Sequence, residues 1–572
     1  MYRIITLLLL LSTPSLIIAL ANPSDRSGKV EYSVWHNGEI DRQRDLIIME
    51  YNNSISKTWT DQSGKNLIPE VPKQYNYHDY TNQTVYRQAI FMDGQAYYTQ
   101  IKFNELEGFK AEGPPAKILG YNCQKYTGSS FSNKIELWVT TDTGLKGTPV
   151  LSFPYTKGLV LKYVSNENYG WEATNIEFYK KKNAPKLMPD DLGKEIDQVN
   201  FGLRLANAFV KEIQIFEDEQ INWGDNINNP EGNKLNQLYR FAGGTIIAKK
   251  IKLPEVPDGT TVFAEIVEKS NGDAYDRTGS AFIIPTGKEK SFLDGLKSGV
   301  DVLPKYISSK NKTYQGVVSS PTYDPVIELM RFFTPFGVNH FNDKRDVGIT
   351  WADSVSYKQD VSHLLPVLQG ECWIAVFIGN YDAGGHKVSL NLKYHLNQQE
   401  KSSTPKQKYW VQSLFNTTNV MEMAGQEYGT MFKNDTLKVE FDVPPGVKKA
   451  TFRYISTGHG GWEGGDEFVP KKNQLFLDEE PFFSYTPWRV DCGTYRSYNP
   501  ASGNFWNGLS SSDYSRSGWC PGSVSQPYYI DIENLTPGKH TIEVYIPIGE
   551  REGNMFSAWN ISGVLIGQLH NE

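Results

Sequence analysis

Short runs in which apolar and polar residues alternate, broken by Asn, Gly, Asp or Pro, fill almost the whole chain. A period of two puts one face of a segment inside and the other outside, the requirement of a strand rather than a helix. Strands are predicted at 33–35, 46–50, 84–92, 96–102, 134–139, 159–164 and 174–179. A second series falls at 245–252, 262–268, 280–284, 347–351 and 388–394. A third falls at 409–414, 436–441, 449–456, 474–477, 528–532, 541–546 and 555–565. No long amphipathic helix is predicted. Many short strands separated by turn signals imply an all-β protein of sandwiches or jelly rolls.

With 572 residues the chain is too long for one core. A charged, proline-bearing stretch at 179–191 and a polar one at 398–406 mark domain edges. The expected divisions are a β-rich N-terminal domain at 22–182, a linker at 183–199, and two further domains at 200–397 and 398–572. The first residues read as a secretory signal: Tyr2-Arg3, an apolar run at 4–11, and a small-x-small site at Ala19-Leu20-Ala21. Cleavage near Ala21 would place the protein outside the cytoplasm, secreted or periplasmic. No later stretch is apolar enough to anchor it in a membrane. A formal net charge of −7 argues against nucleic acid and anionic membranes as partners. A monomer is expected.

Of the four cysteines, Cys492 and Cys520 lie close in sequence and bracket an aromatic loop, so they are expected to pair. Cys123 and Cys372 fall in different domains and are expected to be free and buried. No spacing of His, Cys and acids resembles a metal site, and no nucleophile elbow or activated thiol is present. Neither metal nor cofactor is expected.

The stretches with chemical content are Gly458-His-Gly-Gly-Trp-Glu-Gly-Gly-Asp-Glu-Phe468 and Asp513-Tyr-Ser-Arg-Ser-Gly-Trp-Cys-Pro-Gly522. The first is an acidic, glycine-rich turn; the second is aromatic and carries an arginine. Gly272-Asp-Ala-Tyr-Asp-Arg277 offers a second carboxylate in similar company. Taken alone, Gly-Gly-Asp is ordinary turn chemistry, and Asp276 could simply pair with Arg277. Gly464 to Phe468 also spells the diguanylate cyclase pentapeptide, but without that domain's helices the match is coincidence.

The order of 272–277, Arg331-Phe-Phe-Thr-Pro-Phe-Gly337, 458–468 and 516–522 resembles the bacterial peptide-N-glycosidase F (glycoasparagine amidase) family over about residues 200–572. The resemblance implies two adjacent jelly-roll sandwiches, with the site in the cleft between them. It also implies hydrolysis of the amide joining Asn to the first GlcNAc of an N-glycan, with N-glycoproteins and glycopeptides as substrates. By carry-over, Asp276 is the main catalytic carboxylate and Glu467 positions or polarises the substrate. Arg277 and Arg516 donate to sugar or peptide. Tyr275, Tyr381 and Trp519 form walls for the sugars, with His459 and Trp462 nearby. A third family carboxylate falls on Gly379, beside which Asp382 is the available substitute. The missing side chain implies room for a bulky core substituent such as fucose. Two short family disulfides are absent, one near Gly272 and Asp276, the other near Gly465 and Val469. The segment 22–182 has no counterpart in short family members. Two other readings use the same residues: a secreted glycan-binding or adhesion protein without catalysis, and an endoglycosidase cutting between sugars.

Overall fold

The fold is that of a computed structural model, which describes residues 26–572 except 42–45, 62–70, 104–107, 131, 151–157, 181–183, 225–226, 258, 344–351, 397–407, 419–430, 433–434, 461–464, 500–506, 534, 549–556 and 570–572. The signal expected at 1–21, the strand expected at 347–351 and Trp462 lie outside the described residues. The chain divides into two compact units, one ending at Phe209 and one beginning at Val210.

The first unit is built on a single long sheet, antiparallel except at its last strand. Ser27–His36 lies in its middle, paired on one side with Leu46–Asn52 and on the other with Tyr169–Phe178. Hairpins extend both flanks, out to Ala96–Lys102 in one direction and Tyr121–Ser130 in the other. Tyr32, Met49, Leu159 and Cys123 are buried in its core. A helix of 11 residues, Gln198–Ala208, follows Asp197. The Asp197 carboxylate accepts from the backbone N–H groups of Val199 and Asn200, an N-cap that starts the helix. Phe201 is its buried residue, with Leu205 and Ala208 half-buried on the same face, a short stripe. The segment expected to be a linker also contains a short strand, Lys194–Glu195, which pairs with Tyr97 and Tyr98.

The second unit contains two sandwiches. In the first, Val210–Ile221, His386–His395, Thr261–Ser270 and Val355–Asp360 form one sheet. The facing sheet runs Leu238–Phe241, Ile246–Leu253, Gly370–Ile378, Thr278–Ile284 and Ile327–Phe333. In the second sandwich, Lys408–Asn416, Ala558–Leu569, Val447–His459 and Tyr528–Ile532 face Thr436–Val443, Gly538–Tyr545, Asn473–Leu477 and Glu480–Tyr485. Alternation is clean where one face meets solvent: Thr436–Val443 buries every second residue. Ile327–Phe333 is buried at all seven positions because it lies between the two sandwiches.

The seam between the sandwiches is polar as well as apolar. Among the described residues, the largest fully buried side chains include Trp559, Arg331, Arg453 and Arg516. Arg331 pairs with Glu328 at 2.7 Å and donates to the Asn560 carbonyl at 2.6 Å. Arg453 donates to the carbonyls of Glu328 and Leu329. Burial would raise the Glu328 carboxyl, but Arg331 holds it below its ordinary value. The seam is closed by chain exchange: Val524–Ser525, from the second half of the unit, pairs with Arg331 and Phe332 at the edge of the first sandwich's sheet.

Cys492 and Cys520 are joined, with Cα atoms 5.2 Å apart. The bridge stabilises by about 2–4 kcal/mol, chiefly through the unfolded chain. Cys123 is free and buried, as expected; Cys372 is free but only half-buried, because it lies near the start of Gly370–Ile378, where the strand emerges from the core. Among the described residues no helix is long and apolar enough to cross a membrane.

Candidate active site

Three charged side chains from distant parts of the sequence meet between the sandwiches. Asp276 follows Thr261–Ser270 in a loop, Glu467 follows Val447–His459, and Arg516 precedes the exchanged strand. Arg516 is the centre: its Nε donates to Glu467 Oε1 at 2.9 Å, and its Nη2 lies 3.6 Å from Asp276 Oδ2. Nη1 donates to the Ser511 carbonyl at 2.6 Å. The Ser511 hydroxyl donates to Asp276 Oδ2 at 3.1 Å. The guanidinium is 1% exposed, whereas Glu467 and Asp276 keep 17% and 20% of their side chains open. A buried, fully engaged arginine thus presents two partly open carboxylates.

The local chain explains this arrangement. Ser510 and Asp513 form a capping box over the turn Ser511–Asp513, which aims the Ser511 carbonyl and hydroxyl at the cluster. Arg516 exchanges backbone hydrogen bonds with Arg489, and Ser517 N–H donates to the Glu467 carbonyl. Gly518 has φ +82°, and a Cβ there would lie 2.4 Å from the Ser456 carbonyl oxygen, so only glycine fits this turn. Asp466 points away from Glu467: its carboxylate accepts from Trp559 Nε1 at 2.7 Å inside the core.

Both carboxylates are held against ionisation. Burial, reinforced by the charge of Asp276 and opposed by Arg516, raises Glu467 to about 7. Burial also raises Asp276, against Arg516 and the Ser511 hydrogen bond. Two carboxyls of raised pKa, partly open to solvent around a fixed cation, are suited to moving protons.

The remaining candidates separate into rings that face outward and groups already engaged. Tyr275 is 42% exposed and Tyr381 is 69% exposed. Trp223, not anticipated from the sequence, lies 5.6 Å from Tyr381 between ring centroids. Trp519 is no open wall: it is 3% exposed, stacks on Phe333 at 4.2 Å, and donates through Nε1 to the Gly458 carbonyl. His459 stacks on Phe333 and meets Thr457 Oγ1 at 2.9 Å; burial, with Arg331 nearby, lowers its pKa to about 3. Arg277 pairs with Asp273 at 2.7 Å rather than with Asp276. The Asp382 carboxylate accepts from the N–H groups of Gly384 and Gly385, closing a turn. At Gly379 an added Cβ would lie 3.1 Å from the Phe377 ring, which would have to give by a few tenths of an ångström. Among the described residues no cluster of His, Cys, Asp and Glu could hold a metal. A cavity of about 570 Å³ lies elsewhere, lined by Trp488, Arg489, Tyr495 and Tyr528 and by neither catalytic candidate.

The loop bearing Asp276 rests on a buried ionic chain that the motifs did not reveal. His386 Nδ1 lies 2.8 Å from Glu268 Oε1, and its Nε2 lies 3.8 Å from Asp273 Oδ2. Burial alone would lower His386, but the two carboxylates raise it to about 9. Burial alone would raise Asp273, but His386 and Arg277 bring it to about 2. The stability tied to His386 is present in full below the ordinary histidine value and is lost as pH rises through about 9. The part tied to Asp273 is lost only as pH falls through about 2. Denaturant unfolding is expected to show up to about 3 kcal/mol less stability at about pH 10 than at about pH 6, a slope that His386→Gln removes.

Three family profiles match the chain: peptide-N-glycosidase F, N terminal, over 212–394; peptide-N-glycosidase F, C terminal, over 427–566; and N-glycanase peptide, N-terminal domain, over 30–202. A solved structure of PNGF-II in space group P21 is 43% identical, with 95% of this chain and 100% of that chain covered and a TM-score of 0.71. The chain belongs to the peptide-N-glycosidase F family. It is a glycoasparagine amidase of the PNGase F type, with an N-terminal domain added to the two jelly rolls. A second PNGF-II structure, in space group C2, is also 43% identical, with 96% and 99% covered and a TM-score of 0.64. The comparison with curated proteins finds no match.

Proposed function

We propose that this PNGase F-type enzyme hydrolyses the amide between Asn and the innermost GlcNAc of secreted or cell-surface N-glycoproteins, at the Asp276–Arg516–Glu467 cluster. The observation that carries the reading is that buried Arg516 holds two partly open carboxylates of raised pKa together in a member of this family.

Asp276 takes a proton from water as the water adds to the Asn side-chain carbonyl carbon. Glu467, protonated up to about pH 7, donates a hydrogen bond to the developing charge. Collapse breaks the carbon–nitrogen bond as Asp276 hands the proton it took from water to the leaving nitrogen: Asn becomes Asp, and the glycan leaves with that nitrogen as a glycosylamine. An amide nitrogen leaves poorly, so orientation must supply much of the rate. Tyr275 and Tyr381 offer exposed rings on which sugars can stack, with the half-buried Trp223 beside Tyr381.

Mass spectrometry of a defined N-glycopeptide tests this. Release of the whole glycan with conversion of Asn to Asp supports the amidase; a peptide left carrying one GlcNAc points to an endoglycosidase, and uncut peptide retained by the protein to a binding module.

The missing side chain at Gly379 supports tolerance of a core fucose; Gly379 lacks a positive φ, and a side chain there needs only a small shift of the Phe377 ring. Gly379→Glu is expected to lower kcat/KM at least about tenfold on core-fucosylated glycopeptides while changing it less than about threefold on unfucosylated ones. Equal rates on both substrates in the variant would remove the argument.

A further inference from the structure

We propose that His386 and Glu268 are positioning residues for Asp276, acting through Asp273 to fix the loop 271–277. Only the kinetic part of the test rests on the amidase reading.

Both residues occupy the inward phase of paired strands. Thr261–Ser270 buries Val262, Ala264, Ile266 and then Glu268; His386–His395 begins with His386 and continues inward with Val388, Leu390 and Leu392. Charged groups at such positions are costly unless paired. Here His386 Nδ1 meets Glu268 at hydrogen-bond distance, and Nε2 faces Asp273 at ion-pair separation. A ring with a carboxylate at each nitrogen is a bridging cation. Asp273 passes the restraint on: Oδ1 accepts from the Tyr275 N–H at 2.9 Å, and Oδ2 from Arg277 Nε at 2.7 Å.

The rest of the loop is held to match. Asn271 and Asp273 N–H groups donate to the Gly385 carbonyl, next to His386. Ser270 Oγ donates to the Asp273 carbonyl. Thr334 Oγ1 donates to the Tyr275 carbonyl and accepts from the Arg277 N–H. The Asp276 side chain instead reaches across to Ser511 and Arg516. The charged or titratable groups facing His386 are Glu268 from the neighbouring strand and Asp273 with Arg277 from the loop. Tyr357, from the next strand, interacts with Glu268 and donates its hydroxyl to the Phe333 carbonyl. Neutralising His386 would leave two buried carboxylates facing each other and free Asp273 to move, three residues before the reacting group. A displacement of about 1 Å at a reacting group costs about 10²-fold in rate.

The test is His386→Gln in the full chain, read by glycopeptide kinetics near neutral pH and by backbone amide exchange. The expected result is kcat lower by about 10–100-fold with KM within about twofold, and faster exchange at 271–277 while other strands of the sheet exchange as before. Rates are taken per folded molecule, because a smaller folded fraction alone also lowers apparent kcat at unchanged KM; a purely structural role would leave kcat per folded molecule at the wild-type value. Wild-type kcat with unchanged exchange at 271–277 would overturn the proposal. Should His386→Gln not fold, Glu268→Gln, which keeps the volume and a hydrogen-bond acceptor, carries the same two readouts. Should the wild-type protein release no glycan, the amidase reading falls and loop exchange alone decides the positioning role.

Discussion

Asp276→Asn is expected to lower kcat on an N-glycopeptide by roughly 10²–10⁴-fold, the usual range for losing a placed general base, with KM little changed. Asn is close in size, and its amide oxygen can still accept from the Ser511 hydroxyl now bonded to Asp276. The fold should not suffer. Burial raises the Asp276 pKa, so the folded state disfavours its charge, and removing that charge should hold or raise Tm. Loss of activity without loss of stability is the behaviour of a catalytic group rather than a structural one. Asp276 is also one of the causes raising Glu467, so the variant should titrate Glu467 below about 7. Rates by mass spectrometry, melting by circular dichroism and carboxyl titration by NMR check the three parts. A variant that kept more than about a tenth of wild-type kcat would move the chemistry off Asp276.

The second large effect is at Arg516. Truncation to Ala leaves Glu467 and Asp276 without their shared cation and the Ser511 carbonyl without its 2.6 Å donor. Breaking a buried pair in this way costs about 3–5 kcal/mol, because the surviving charges stay desolvated. Activity should be lost along with it. Arg516→Lys restores charge but not shape: one ammonium cannot replace a planar fork that serves Glu467 through Nε and Ser511 through Nη1. Lys should therefore recover part of the stability and little of kcat. Denaturant unfolding and glycopeptide kinetics on both variants separate the two effects. Full activity in Arg516→Lys would mean that charge alone suffices there.

The all-β class was legible because most strands have one solvated face, and alternation survives in sequences such as 436–443. Val355–Asp360 alternates just as cleanly and was still not read as a strand; other misses lie where that condition fails. Ile327–Phe333 and most of Gly370–Ile378 are buried on both faces, so their apolar runs carry no period. The helix Gln198–Ala208 buries little beyond its short stripe and offered the Asp197 cap as its main signal. At the site, Asp276, Glu467 and Arg516 stand in recognisable local strings, and the cluster they form was reachable from those strings and the family resemblance. Ser511 was not, although Ser510 and Asp513 spell a capping box. Glu268 and His386 were readable in principle, as charged residues in the apolar phase of a strand. Trp519 sits in a glycine-rich loop that reads as exposed; its stacking on Phe333, 186 positions upstream in the numbering, is tertiary and has no local trace.

The exchanged strand Val524–Ser525 bears on how the molecule is made. The first sandwich of the second unit cannot finish its sheet until the chain has been synthesised past Ser525, close to its end. Residues 210–395 therefore do not mature as an independent piece while the ribosome completes the rest. Their exposed sheet edge must wait for a distant partner, a long-range closure that slows folding and prolongs exposure to aggregation. A stop before Val524 would remove an edge strand from the first sandwich's sheet, together with Arg516 or the turn that places it when the stop falls earlier still.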